Sequence, residues 1–85
     1  VATFLRERYP ALIVFGLDTI SISNPRQRAA GHEAHRGFLC GSAPIMLLED
    51  LDLSEKNLSL HPWRLTVYPM LLDDLDGVPV IAFLE

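Results

Sequence analysis

Cysteine is almost absent: Cys40 stands alone among 85 residues, so no internal disulfide can staple the chain. A single thiol points to a reducing compartment, and a cytoplasmic location is the expectation. Basic clusters are absent too. Beyond Arg26-Gln27-Arg28 there is no Lys/Arg grouping, and with a net charge of -4 a nucleic-acid role is excluded. No apolar run reaches the roughly 20 residues needed to span a bilayer, so no membrane segment is expected. No signal peptide is visible. There is no glycine-rich phosphate loop, no arguable Ser/His/Asp triad, no internal repeat and no low-complexity stretch. An initiator methionine is missing as well. Val1 opens almost directly into a helical pattern, which reads as a fragment or as a chain whose upstream part is missing.

What is there is apolar enough to fold. The apolar fraction of 49% lies well inside the globular range, and the length suits one small domain or part of a larger one, taken here as a single partial domain over 1–85. Residues 2–9 read as the end of a helix stopped near Pro10. Residues 11–17 are a continuous apolar run that suits a strand buried on both faces. Residues 18–23 alternate polar and apolar, and Asn24-Pro25 starts a loop. Residues 28–40 resume helical spacing, closed by Gly41-Ser42. A second buried strand runs from Pro44 to Leu51. A short turn at 52–55 and a polar connection up to Pro62 follow. A third strand covers 64–72, with Pro69 marking a bulge or a sheet edge. Asp73–Gly77 is a turn, with Asp76-Gly77 its strongest signal, and 78–84 is the last strand. The order helix, strand, helix, strand, strand, strand indicates an α/β layer architecture.

The residues that could carry chemistry are few. His32 and His35 lie three apart, near one face of the second helix, a spacing that can bind metal and also occurs on solvated faces. Glu49 closes the apolar run Ile45-Met46-Leu47-Leu48, and a carboxylate there is costly unless paired or at a strand end that reaches water. Imidazole and carboxylate together suit zinc, and manganese or iron also accept them. Asp18, at the end of the first strand and next to Thr19, reads first as a cap for backbone N–H groups. Cys40 reads as a small buried residue. His61 reads as surface, and Trp63 as a partner anchor or a cover over the core.

Four segments in series resemble the metal-dependent cyclase family, which includes bacterial kynurenine formamidase (arylformamidase) and isatin hydrolase. Gly16-Leu17-Asp18-Thr19-Ile20-Ser21 is similar to its Gly-Ile-Asp-Thr-x-Ser segment. His35 followed by Phe38-Leu39 is similar to its His-x-x-Leu-Leu helix. Ile45-Met46-Leu47-Leu48-Glu49-Asp50-Leu51 is similar to its Ile-Leu-Glu-x-Leu strand. Asp74-Leu75-Asp76-Gly77-Val78-Pro79-Val80 is similar to its Gly-x-Asp-Gly-Ser-Pro-Val ending.

The resemblance implies the C-terminal part of a swivelling β/β/α domain, a mixed sheet with one or two helices. It implies a hydrolase of amide, formamide or cyclic amide bonds, working as a homodimer or tetramer on a small-molecule amide. It implies His35 and Glu49 as ligands of Zn2+ or Mn2+, with Asp18 and Thr19 supporting them, and it favours His35 over His32. The family's His-x-Gly-Thr-His-x-Asp segment is not present, so three further ligands and the catalytic histidine are missing and the chain alone is expected to be inactive. Ile81 stands where an arginine commonly follows Pro-Val, and the His-to-Glu spacing is about two residues longer than in kynurenine formamidase. The alternative expectation is a non-catalytic binding or scaffold module that keeps the fold and covers its apolar strands with a protein partner.

Overall fold

Thr3 to Arg8 contain neither glycine nor proline, and Ala2–Arg8 form helix α1. Pro10 disfavours a helical conformation at the residue before it, and the helix ends at Tyr9 with φ -131° and ψ 78°. The computed structural model describes residues 1–85, whose contacts fall into two compact units, Val1–Ser54 and Glu55–Glu85. Small sheets and two helices make it an α/β fold. No helix is long and apolar enough to cross a membrane.

In the first unit, β1 (Val14–Gly16) and β2 (Met46–Leu48) pair in parallel, with Phe15 opposite Leu47. Parallel strands need a long crossover, and here it contains helix α2 (Arg28–Leu39). Phe38 of α2 and Ile45 just before β2 are completely buried, and Ala2 of α1 is nearly so. Leu5, Leu12, Phe15, Ile22 and Leu47 pack against them. The Phe15 and Phe38 rings stack with centroids 5.4 Å apart, an arrangement that adds about 0.5–1.5 kcal/mol to the area they bury. Arg6 of α1 reaches across to this core. Its Nε donates to the Ala43 carbonyl at 2.9 Å and its Nη2 to the Phe38 carbonyl at 3.0 Å. A cation therefore meets the negative end of α2, where carbonyls lack helical partners.

Two expectations are corrected here. The apolar runs 11–17 and 44–51 form strands of only three residues, and no residue of those strands is fully buried on either face. Phe15 and Leu47 face the helices, whereas Met46 lies on the opposite face and is 57% exposed. With period-two alternation, a helix layer on one side covers only every second side chain. Cys40 is exposed, not buried. It caps α2 in an extended conformation, and Gly41, with φ 100°, turns the chain away in the left-handed region that glycine tolerates.

After β2 the chain turns through Asp50 (φ 59°), and hydrogen bonds from Ser54, hydroxyl and amide, hold the Asp52 carboxyl below its ordinary range. In the second unit, β3 (Leu65–Pro69) and β4 (Val80–Leu84) form an antiparallel pair, Leu65 opposite Leu84 and Pro69 opposite Val80. The proline is tolerated because both strands of a two-stranded sheet are edges. Within the connection, Asp74 takes the left-handed conformation (φ 60°). Tyr68 and Phe83 stack at 5.9 Å, and Trp63 Nε1 donates to the Leu58 carbonyl at 3.1 Å. The single mixed sheet expected from the sequence is replaced by two separate sheets, one parallel and one antiparallel.

Candidate functional site

Helix α2 and the end of β2 bring His35 and Glu49 together. His35 Nε2 lies 3.3 Å from Glu49 Oε1, and both side chains are about one-third exposed (33% and 28%), so small molecules can reach them. The opposite ring nitrogen, Nδ1, sits 2.9 Å from the Gly31 carbonyl one turn back on α2. A carbonyl oxygen can only accept, so Nδ1 carries the hydrogen and Nε2 is left to face the carboxylate. That juxtaposition is favourable with a proton on Nε2, as an ion pair, or with a cation held between nitrogen and oxygen.

Glu49 is oriented from the other side. Its Oε1 accepts the backbone N–H of Ile22 at 2.9 Å and the Ser21 hydroxyl at 3.4 Å. Ser21 Oγ lies 2.9 Å from Ser23 Oγ and accepts the Ser23 N–H at 3.1 Å. The residues leading into this segment are tied to the end of β2 and to the turn after it: Leu17 N–H donates to the Leu48 carbonyl, and the Asp50 and Leu51 N–H groups donate to the carbonyls of Thr19 and Leu17. It also rests against α2 at Gly31. A Cβ on Gly31 would come within 2.3 Å of Ser23 Cβ, so only glycine admits this approach. Gly31 thus serves both partners: its carbonyl fixes the His35 ring, and its missing side chain lets the serine segment reach Glu49.

The other candidates lie apart or contribute less. His32 is exposed and lines a different groove, with Ser21, Ser23 and Arg28. Thr19 donates from Oγ1 to the Ser21 carbonyl at 3.1 Å, which braces the segment beneath Glu49. Asp18 is exposed and takes no part in the hydrogen bonds around Glu49, nor does it cap the backbone as expected; its place is taken by Ile22 N–H and Ser21. His61 is exposed, its Nδ1 2.8 Å from the Pro62 carbonyl and its ring 4.1 Å from that of Trp63.

The donor set fits part of a metal site. In a tetrahedral zinc shell with bonds of about 2.0–2.1 Å, neighbouring ligand atoms stand roughly 3.3–3.4 Å apart, and His35 Nε2 and Glu49 Oε1 have that separation. Backbone hydrogen bonding at the other ring nitrogen is the usual way a ligating imidazole is held. No group of three His, Cys, Asp or Glu that could hold a metal ion is assembled.

Comparison of the chain with protein-family models, with curated proteins and with solved structures gives no match.

Sequence reasoning missed Ser21, the Ile22 amide and Gly31. Hydroxyls at period two in Thr19-Ile20-Ser21-Ile22-Ser23 were a signal. So was a glycine inside a helix, where it costs about 1 kcal/mol and marks a close approach.

Proposed function

We propose that this chain contributes two metal ligands, His35 and Glu49, to a metal-dependent hydrolase of amide, formamide or cyclic amide bonds, resembling kynurenine formamidase. The observation that carries the reading is the 3.3 Å approach of a ring nitrogen, its partner nitrogen already committed to Gly31, to a carboxylate oxygen. Zn2+ or Mn2+ held there would supply Lewis acidity toward a carbonyl and make water a stronger acid. His35 presents Nε2 as the neutral ligand. Glu49 balances charge while Ile22 and Ser21 fix its orientation, and Thr19 braces Ser21. The remaining ligands and the general acid–base come from outside these 85 residues, from another segment or from a second copy in a homodimer or tetramer. The substrate is then a small amide, as in a cytoplasmic step of tryptophan catabolism.

A second reading has its own support. Leu71, Ile81 and Tyr68 in the second unit are 92%, 69% and 60% exposed, which suits a non-catalytic module whose apolar surface meets a protein partner.

Zinc and manganese titrations followed by NMR of the imidazole nitrogens separate the two. Zn2+ is expected to move the His35 Nε2 resonance, to leave His61 unchanged, and to lose this effect in Glu49→Gln. Mn2+ is expected to broaden the same resonance. A His35 ring indifferent to both ions overturns the ligand assignment. In the protein from its natural source, His35→Ala and Glu49→Gln are expected to abolish bound metal and aryl-formamide hydrolysis together. Bound metal without hydrolysis of any formamide or cyclic amide leaves the module reading in force.

A further inference from the structure

Beside the His35–Glu49 pair, an open groove of about 330 Å³ is lined by Ser21, Ser23, Asn24, Pro25, Arg28 and His32. Every polar side chain in it can present a hydrogen. Arg28 and His32 are four apart on α2 and so share one face. Arg28 has no acidic partner, since the chain's one ion pair is His35–Glu49, and no carboxylate lines the groove. The Asn24 Oδ1 is already taken by the Arg26 N–H at 3.0 Å, which leaves its amide nitrogen as the free end. Ser21 and Ser23 add hydroxyls 2.9 Å apart.

A mostly apolar groove that holds one unpaired guanidinium together with serine, asparagine and histidine donors, and no carboxylate, suits a small oxyanion, even though the chain as a whole carries a net charge of -4. Its volume lies at the small end of small-ligand sites. We infer that this groove binds a small oxyanion, a carboxylate or a phosphate, with Arg28 as the charged donor and Ser23, Asn24 and His32 as further donors. Guanidinium forks suit the two oxygens of either group.

The groove is joined to the pair through one atom. Ser21 Oγ is bonded both to Glu49 and to Ser23. A hydroxyl has a single hydrogen to give. When Ser23 donates to a bound oxyanion, its hydrogen is no longer available to Ser21 Oγ, which stays bonded to Glu49. The binding step itself stands whether or not the pair holds a metal.

Titration of the 85-residue chain with sodium acetate and, separately, with inorganic phosphate tests the inference, at constant ionic strength and with chloride as the control. The His32 ring and the amides of Ser21 and Ser23 are expected to shift saturably. Arg28→Gln, an exposed position, is expected to weaken binding about tenfold or more, with the Phe15 and Phe38 ring resonances unchanged as proof of folding. Saturation by acetate assigns a carboxylate ligand, and saturation by phosphate alone assigns a phosphate. These titrations contain no zinc or manganese, so failure of the metal reading leaves this result standing. Shifts that fail to saturate, that chloride reproduces, or that persist at full affinity in Arg28→Gln overturn the proposal.

Discussion

Residues 1–54 and residues 55–85 dispose of their apolar side chains in opposite ways. In the first unit Phe38, Ile45 and Ala2 leave water almost entirely. In the second no residue is buried, and Leu71, Ile81 and Tyr68 stay mostly in solvent. The difference follows from topology. A parallel pair cannot form without a crossover, and the crossover brings α2 onto the sheet. An antiparallel pair closes locally and brings no layer with it, and a two-stranded hairpin alone is marginal in water. The side chains with shared polar geometry, His35, Glu49, Ser21 and Ser23, all lie in the unit that has a core, where fixed backbone can aim them.

The sharpest way to break this contrast is Phe38→Ala. Removing a completely buried aromatic side chain costs about 3–5 kcal/mol, comparable to the whole stability of a small domain. Hydrogen exchange is expected to speed up across α1, α2 and β1–β2 while the β3–β4 amides keep their rates. Equal loss in both units would mean that a single cooperative structure, not two, governs the chain.

Gly31→Ala sharpens the contrast inside the first unit. Alanine normally gains up to about 1 kcal/mol over glycine in a helix. Here its Cβ meets Ser23 Cβ at 2.3 Å, with Ser23 Cα at 3.3 Å, so backbone must move. Overpacking of this kind costs about 1–3 kcal/mol, and the net effect is a loss. Chemical denaturation is expected to show it, along with faster exchange of the Ile22 amide as its bond to Glu49 lengthens. A stabilised variant would show that the serine segment does not rest on α2.

The helices were readable because their signals are local: Pro10 stops α1, and Gly41 follows α2. The positions of His35 on a helix and Glu49 just past a strand were readable for the same reason. What was not readable depends on which segment lies opposite. Apolar runs at 11–17 and 44–51 look alike whether a sheet is covered on one face or two, so burial was overestimated at Met46. Cys40 was misjudged because composition says nothing of the direction in which a chain leaves a helix. Asp18 drew attention by its charge, yet the groups that hold Glu49 are a backbone N–H and a serine, whose roles come from the turn they occupy.

The smallest effect is the most informative about the second unit. Leu71 is 92% exposed, so Leu71→Ser removes almost no buried surface. At about 25 cal/mol per Å² of apolar area buried, nothing is lost when none is covered, and surface changes of this kind stay within about 0.5 kcal/mol. The melting curve of the 85-residue chain is expected to be unchanged. A loss above about 1 kcal/mol would require Leu71 to be covered in solution. Dilution then separates two causes: a loss that grows with protein concentration comes from self-association through this face, and a constant loss comes from packing within the chain.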